Sequence, residues 1–219
     1  MKLNPLDSLI ETEDGSHTLL HYLGDHYHSR HGAIREAQHV FIHTGLDEID
    51  FENVTILEVG FGTGLNAFLT LLYKRDKKVR YITIEPEPVD EKITRLLNYP
   101  SLLNEDRYMF DKIHNSKCDE WILLCPDFDI LKLRSTLEAI TIDEQIHLIY
   151  FDAFAPRYQP ELWEVSIFKK CFELLVVGGM LVTYCAKGSV KRNLAAAGFF
   201  VETCPGPPGK REMIRAKKL

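Results

Sequence analysis

One segment constrains the fold more than any other: a β-branched run at 54–59 that leads straight into Gly60, Gly62 and Gly64. The run predicts a buried strand, and the apolar spacing over 65–73 predicts a helix that begins where the glycines end. Glycines at such a turn let the backbone bend sharply at the carboxyl end of the strand and approach a ligand closely. The segment therefore predicts a Rossmann-like strand–loop–helix unit whose helix N-terminus faces a ligand.

The rest of the chain repeats this alternation. Further strands are predicted at 80–85, 121–125, 147–152, 180–184, 199–203 and 212–216, and further helices at 89–97 and 161–175, the second ended by Gly178-Gly179. Alternation favours a parallel sheet covered on both faces. Only Gly206-Pro207-Pro208-Gly209 separates the last two strands, so they must pair antiparallel. We predict an α/β fold, with a Rossmann-like, doubly wound, mostly parallel sheet and a C-terminal antiparallel hairpin, as in class I methyltransferases.

Length and composition fit a single domain. The 219 residues are 45% hydrophobic and 26% charged, which is ordinary for a globular protein. We expect one methyltransferase domain over 1–219, with an N-terminal extension at 1–50 that forms a small hairpin at Asp14-Gly15, and a Rossmann-like core at 51–219. No apolar stretch reaches the ~20 residues of a membrane span, and no secretory signal is evident. We therefore expect a cytoplasmic protein with no membrane partner, whose five cysteines are reduced.

The spacing of the glycine loop indicates which ligand it holds. Gly-x-Gly-x-Gly differs from the Gly-x-Gly-x-x-Gly that cradles a pyrophosphate. Glu58, just before the loop, would attract a cationic ligand and repel a phosphate. S-adenosylmethionine carries an ammonium and a sulfonium but no phosphate, so we predict it as the cofactor, with Glu85 accepting hydrogen bonds from its ribose hydroxyls. A NAD(P)-dependent oxidoreductase is the alternative enzyme for this architecture.

Asp152 is the predicted catalytic residue. It closes the strand at 147–152, where the cleft of an open sheet lies, and we expect it to face the space between cofactor and substrate. Amine methylation needs a neutral amine, and a nearby carboxylate can accept its proton and stabilise the cationic nitrogen that forms. The alternative is a strand-end acid that only caps the following loop.

The net charge of −6 hides a division along the chain. Residues 1–156 hold 15 Lys and Arg against 27 Asp and Glu, whereas residues 157–219 hold 11 against 5. This asymmetry predicts contacts with a polyanion, which we place on a basic flank. The flank comprises Lys187, Lys191, Arg192, Lys210, Arg211, Arg215, Lys217 and Lys218. The alternative is that these bases only balance acids across the fold.

Seven of the nine histidines fall between positions 17 and 43. Among them, His26-x-His28-x-x-His31 approaches the ligand spacing of binuclear zinc hydrolases. Arg30 stands where such a site needs an aspartate, and a cation beside a divalent metal is unfavourable. We therefore predict no metal, with histidines that line a pocket or face solvent.

Several segments together resemble the methyltransferase half of the MnmC family of tRNA modification proteins. The most specific are Glu58-Val59-Gly60-Phe61-Gly62-Thr63-Gly64-Leu65-Asn66, Phe151-Asp152-Ala153-Phe154-Ala155-Pro156 and Gly209-Lys210-Arg211-Glu212-Met213. Segments at 25–29, 32–36, 40–42 and 160–163 match as well, so the resemblance covers most of the chain. It implies methyl transfer from S-adenosylmethionine to the exocyclic amine of 5-aminomethyl-2-thiouridine at the tRNA wobble position, giving 5-methylaminomethyl-2-thiouridine.

The resemblance also implies roles for further residues. Asn66 joins the glycines in binding the cofactor, and Tyr27 and Ser29 help to close the pocket. Phe154 and Pro156 are predicted to contact the substrate or the RNA. These residues are predicted site members that periodicity and spacing alone do not single out.

Two features depart from that family. Relatives often carry Gly-Asp after the third strand to hold the adenine amino group, and here only Asp127 and Asp129 are candidates. The sequence also has no counterpart of the FAD-dependent oxidoreductase half, so a separate enzyme is expected to supply the amine. A methyltransferase of another amine, on a protein or a small molecule, would keep the same motifs. A non-catalytic RNA-binding module is the alternative outside enzymes.

Overall fold

The N-terminal part of the chain forms a small hairpin and a helical segment. In this computed structural model, which describes residues 8–22 and 24–219, β1 (Leu9–Glu11) pairs antiparallel with β2 (His17–Leu19). Asp14 accepts a hydrogen bond from the backbone N–H of Ser16 at 3.0 Å and so stabilises the turn. Helix α1 (Ala33–Ala37) follows and continues as a π-helical stretch. The predicted hairpin is confirmed, while residues 1–7 of the predicted extension lie outside the described residues.

A single eight-stranded sheet forms the core. Its strands are β3 (Asn53–Val59), β4 (Lys78–Ile84), β5 (Trp121–Cys125), β6 (Phe128–Leu133), β7 (Ile146–Phe151), β8 (Leu175–Thr183), β9 (Phe200–Pro205) and β10 (Glu212–Lys217). Their spatial order is β5-β6-β4-β3-β7-β8-β10-β9. Strands β6, β4, β3, β7 and β8 run parallel, whereas β5, on one side, and β10 pair antiparallel with their neighbours. The predicted mostly parallel sheet and its C-terminal hairpin are confirmed.

Helices cover both faces of the sheet. They are α2 (Leu65–Tyr73), α3 (Glu91–Thr94), α4 (Tyr99–Leu102), α5 (Tyr108–Asn115), α6 (Val165–Leu174) and α7 (Gly188–Ala196). Successive residues of a strand point to opposite faces. Thus Tyr150 of β7 packs in one hydrophobic cluster with Phe68 of α2, and Phe151 packs in the other with Phe168 of α6. Among the described residues, no helix is both long and apolar enough to cross a membrane.

The predicted helix at 161–175 differs from the structure. A 3-10 turn at Pro160–Trp163 precedes the shorter α6, and β8 already begins at Leu175. Gly178 and Gly179 therefore lie inside a strand and do not end a helix. The register between β7 and β8 shifts along this stretch, and Gly178 has a φ of +82°. A positive φ suits an irregularity in a strand as well as a helix end, so the glycines alone did not distinguish the two.

The predicted strand at 121–125 is not the third parallel strand of the sheet. The run at 121–125 is the edge strand β5, and it turns back at Asp127, with a φ of +64°, into β6. Strand β6 is the parallel neighbour of β4, and Phe128 pairs with Val79 at the amino end of that pair. Asp127 and Asp129 therefore lie at the edge of the sheet away from the cleft, and their assignment as candidates for the adenine contact is wrong.

Candidate active site

The carboxyl ends of three adjacent strands bring the predicted motifs together. Gly60 N–H donates to the carbonyl of Ile84 at 3.0 Å, and Asp152 N–H donates to the carbonyl of Val59 at 3.0 Å. These bonds extend the ladders beyond β3, β4 and β7. The glycine loop, Glu85 and Asp152 consequently meet at one edge of the sheet, as expected for an open α/β sheet.

The glycine loop fits tightly against its surroundings. Gly60 and Gly62 have φ values of +93° and +50°, which side chains rarely adopt. A Cβ atom on Gly60 would lie 2.7 Å from the carbonyl oxygen of Asp152, and one on Gly62 would lie 2.8 Å from the Tyr27 ring. Both positions therefore require glycine, because backbone on one side and an aromatic ring on the other leave no room.

A cavity of about 460 Å³ opens beside this loop. It is lined by eight of the predicted site residues, namely Tyr27, Ser29, Gly60, Gly62, Glu85, Asp152, Phe154 and Lys210. The remaining six do not line it: Glu58, Gly64, Asn66, Pro156, Lys187 and Arg211. Of these, Glu58 and Asn66 are buried behind the loop, and Lys187 and Arg211 are exposed on the surface.

Glu85 keeps hydrogen-bonding capacity for a ligand. Its Oε2 accepts from the Gly62 N–H at 3.1 Å, and its Oε1 accepts from the Glu87 N–H at 3.0 Å. A carboxylate offers about four lone-pair sites, so each oxygen can accept one more bond. Burial raises the pKa of Glu85, and the two backbone bonds oppose that shift.

Asp152 is a carboxyl group with an unusual proton affinity. Burial raises its pKa to about 7, the nearby Glu36 adds to the rise, and Asn66 and Lys210 oppose it. Asn66 Nδ2 donates to Asp152 Oδ2 at 2.8 Å. A group whose pKa lies near the working pH can both accept and release a proton during a reaction.

The N-terminal extension forms part of the cavity wall through residues 25–30 and Glu36. Glu36 of α1 is buried, and its Oε1 accepts a hydrogen bond from the Ser29 N–H at 3.0 Å. Its other oxygen forms an ion pair with Lys210, whose ammonium also lies 4.0 Å from the centre of the Tyr184 ring. These contacts tie the extension to the C-terminal hairpin across the cavity.

Two aromatic side chains of the cavity lining, Tyr27 and Phe154, belong to a larger aromatic group. The Phe154 ring is 5.0 Å from that of Tyr27 and 4.4 Å from that of His21, measured between ring centres. Tyr22 continues this group and is 66% exposed. Such rings can stack against a flat, unpaired base.

The comparisons with known proteins agree with this geometry. Residues 124–219 match a family described as S-adenosyl-L-methionine-dependent methyltransferases. The chain is 31% identical, over 97% of its length, to the tRNA 5-methylaminomethyl-2-thiouridine biosynthesis bifunctional protein MnmC of Aromatoleum aromaticum, and 29% identical, over 98%, to that of Cupriavidus metallidurans. It covers 36% and 34% of those proteins, about a third of their length. The chain is an MnmC-like methyltransferase domain.

Solved structures support the fold of this MnmC-like domain. MnmC2 from Aquifex aeolicus superposes with a TM-score of 0.77 at 24% identity, covering 96% of this chain and 70% of that one. A spermidine synthase from Thermotoga maritima superposes with a TM-score of 0.58 at 13% identity, covering 95% and 67%. At these identities the likeness concerns the fold alone.

The predicted basic flank of the MnmC-like domain is largely paired within the protein. Besides Lys210, Arg215 binds Glu48 at 2.8 Å and Glu202 at 2.9 Å, and other bases of the flank bind acids or carbonyls. These are Lys191 with Glu212, Lys217 with Glu202, and Lys218 with the carbonyls of Phe172 and Leu175. Lys187 and Arg211 form no ion pair with the described part of the chain.

The histidines of the MnmC-like domain have separate partners. His28 is buried, its Nε2 lies 2.6 Å from the Thr63 hydroxyl, and burial lowers its pKa to about 4. His31 Nδ1 instead lies 2.9 Å from Glu13 on the surface. Over residues 8–22 and 24–219, no group of three or more His, Cys, Asp or Glu is arranged to hold a metal ion.

Sequence reasoning missed several residues of this site. Glu36 was one, because its only signal in the sequence was an acid among the apolar residues of a short helix. Tyr184, whose hydroxyl donates to the Ala153 carbonyl at 2.9 Å, was another. Leu137 and Glu138 belong to the cavity wall through the long connection after β6, which the misplaced third strand concealed.

Proposed function

We propose that this domain methylates the exocyclic amine of 5-aminomethyl-2-thiouridine at the wobble position of tRNA, with S-adenosylmethionine as methyl donor. The product would be 5-methylaminomethyl-2-thiouridine. The observation that carries the proposal is that the Asp152 carboxyl and the glycine loop line one cavity, and burial there raises the pKa of Asp152 to about 7. The names of the MnmC relatives, which refer to biosynthesis of this nucleoside in tRNA, supply the substrate.

The cavity suits S-adenosylmethionine on the side of the glycine loop. The spare lone pairs of Glu85 match the two hydroxyls of a ribose, and the cradle at Gly60 and Gly62 is open because neither has a side chain. Acidic groups around the cavity favour a cationic ligand. When bound, S-adenosylmethionine supplies an electrophilic methyl carbon.

Asp152 would act as the proton acceptor for the substrate amine. An alkylammonium has no lone pair, so it must first lose a proton, and the Asp152 carboxylate can accept it. If the pKa of the substrate amine is like that of lysine, ~10.4, it lies ~3 pKa units above that of Asp152, which is about 7. Moving a proton from the ammonium group to the Asp152 carboxylate therefore costs ~5 kcal/mol. The neutral amine is then a minor species, and it is the form that reacts. The carboxyl also stabilises the positive charge that develops on nitrogen.

The tRNA would place its wobble base beside the aromatic side chains of the cavity. Phe154 and its neighbours offer a surface on which an unpaired wobble base can stack. Pro156 follows in the same loop, and the exposed Lys187 and Arg211, together with Lys210 in the cavity, are our candidates for phosphate contacts. We assign formation of the free aminomethyl group to an FAD-dependent oxidoreductase acting upstream in the cytoplasm.

The test is methyl transfer by the purified protein to defined tRNA. Substrate tRNA carrying 5-aminomethyl-2-thiouridine is incubated with S-adenosylmethionine, digested, and its nucleosides are measured by mass spectrometry. We expect the mass of the wobble nucleoside to rise by one methyl group. Asp152→Asn keeps the size of the side chain but removes the proton acceptor, and we expect it to reduce transfer by at least about a hundredfold.

Other acceptors are distinguishable outcomes of the same assay. If the tRNA stays unmodified while a protein or small amine is methylated, the substrate assignment is wrong and the methyltransferase assignment stands. If S-adenosylmethionine binds and no acceptor is methylated, a non-catalytic RNA-binding module becomes the better explanation.

A further inference from the structure

Two exposed arginines line the cavity, and neither belongs to the basic flank. They are Arg30, from the N-terminal extension, and Arg157, from the loop after β7, and we call them the arginine pair. Within the basic flank only Lys210 lines the cavity, and its ammonium is already paired with Glu36. The arginine pair therefore offers cations that an anionic group can reach both from solvent and from the cavity.

The charges of the arginine pair are weakly compensated within the protein. The Arg30 carbonyl accepts a hydrogen bond from the Glu13 N–H at 2.9 Å, which holds its backbone. Its side chain forms no ion pair with the described part of the chain, and the Glu13 carboxylate lies against His31 instead. The Arg157 side chain is 64% exposed, and its guanidinium lies 3.7 Å from Asp25 Oδ1. An exposed pair of this kind contributes little stability, so an anionic ligand can replace it.

The two arginines lie near the same imidazole ring. Burial is the main cause that lowers the pKa of His26. Arg30 and Arg157 lower it further, against the opposing effect of Asp25. The segments that carry the arginines are also joined directly, because Asp25 Oδ2 accepts a hydrogen bond from the Ala155 N–H at 3.3 Å. The two positive charges consequently belong to one surface.

Each arginine follows an aromatic residue of the cavity at the same interval. Arg30 comes three residues after Tyr27, and Arg157 comes three residues after Phe154. Tyr27 and Phe154, the aromatic pair, both line the cavity, and their ring centres are 5.0 Å apart. Unpaired nucleotides are bound by aromatic rings against the base and by basic side chains along the backbone. This surface holds both kinds of group.

We propose that this surface binds a single-stranded RNA loop: the arginine pair contacts the phosphates next to one unstacked nucleotide, and the base of that nucleotide lies against the aromatic pair. A base that is paired in a duplex cannot reach these rings without leaving its stack. We therefore expect an unpaired loop to bind in preference to a duplex. The inference identifies RNA contacts for the proposed function and rests on it.

Other charged residues are compatible with this assignment. Glu138 and Glu161 are also exposed and line the cavity, but they come from the connection after β6 and from the turn before α6. These acids would repel phosphates, so the segments of the arginine pair are the better path for the RNA backbone. Lys187 and Arg211 do not line the cavity, and they would contact phosphates farther along the same RNA.

The test is the salt dependence of RNA binding by the purified protein. The probe is a fluorescent anticodon stem-loop with an unmodified wobble uridine, titrated by anisotropy at several salt concentrations. We expect Arg30→Gln and Arg157→Gln each to weaken binding about tenfold and to reduce the slope of log affinity against log salt by ~0.7. Arg30→Lys keeps the charge and should keep the slope. Unchanged affinity and slope in both glutamine variants would overturn the proposal.

Two matched variants separate stacking and net charge from the contacts proposed. Phe154→Leu removes a ring but no charge, so it should weaken stem-loop binding about fivefold or more with the slope unchanged. Arg75→Gln changes an exposed arginine just before the amino end of β4, whereas the cavity lies at the carboxyl ends of the strands. It should bind RNA like the wild type. A loss in Arg75→Gln equal to that in Arg30→Gln would show that only net charge matters and would contradict the inference.

Two further measurements keep this inference apart from the proposed function. The affinity for S-adenosylmethionine, measured by calorimetry, should be the same in wild type and in both glutamine variants. A loss there would assign the arginines to the cofactor and contradict the inference. A stem-loop that depends on both arginines for binding, with no methylation of the modified tRNA, contradicts only the proposed function. Methylation of that tRNA with wild-type kcat/KM in both variants contradicts only this inference.

Discussion

The buried Glu58 should make the stability of the protein depend on pH in a particular way. Its pKa rises from 4.5 in the unfolded chain to about 8 in the folded one. Between these values the folded state binds a proton that the unfolded state does not, so the free energy of unfolding falls as pH increases. The stabilising effect is complete below pH 4.5 and lost by about pH 8.

The size of the effect follows from the same shift. Each pH unit well inside the window is worth about 1.4 kcal/mol, and the slope halves at pH 8, where the folded carboxyl is half ionised, so Glu58 alone should remove ~2 kcal/mol between pH 6 and pH 8. In a domain of this size that corresponds to a drop of roughly 4–8 °C in Tm. Glu58→Gln cannot ionise, and the difference between the two proteins should therefore widen by that amount over this range.

The assay is urea unfolding at a series of pH values, followed by tryptophan fluorescence. Asp152, Glu85, His28 and His114 also titrate differently in the folded state, but they contribute to both proteins and largely cancel in the difference. Glu52→Gln, which changes an exposed carboxylate just before the same strand, is the matched control and should reproduce the wild-type curve. Parallel curves for wild type and Glu58→Gln would refute a protonated Glu58.

Three further predictions concern ligands and the surface. Glu85→Ala should weaken S-adenosylmethionine binding by about tenfold or more in calorimetry, because hydrogen bonds to a charged acceptor are lost; unchanged affinity would contradict the ribose assignment. Gly62→Ala should also weaken that binding, since its Cβ would lie 2.8 Å from the Tyr27 ring at a φ of +50°, and normal binding would show that the loop can relax. Arg211→Gln should weaken tRNA binding and lessen its salt dependence without lowering Tm. Arg215→Gln, which breaks ion pairs to two acids, should instead lower Tm and hardly affect tRNA binding. The reverse pattern would show that the RNA contacts Arg215 and not Arg211.

Local sequence signals predicted the half of the site that the sheet builds. The glycine spacing, Glu85 and Asp152 each follow a strand, and parallel pairing carries all three to one edge regardless of how the helices pack. Predicting where β6 lay was harder, because an apolar run does not reveal strand direction. A two-residue turn after Cys125 made β5 antiparallel and moved the end of the third parallel strand to Leu133.

The other half of the site depends on long-range contacts that no local pattern encodes. Glu36 and Lys210 are far apart in the chain, yet their ion pair joins the extension to the terminal hairpin across the cavity. The same contact explains why the net charge of the C-terminal segment does not predict which of its bases contact RNA. Lys210 forms an ion pair with a buried acid beside Asp152 and also lowers the pKa of Asp152. Part of the basic C-terminal segment therefore sets the charge of the cleft. The bases that can still contact phosphates are those, such as Lys187 and Arg211, that remain exposed and without an ion pair among the described residues.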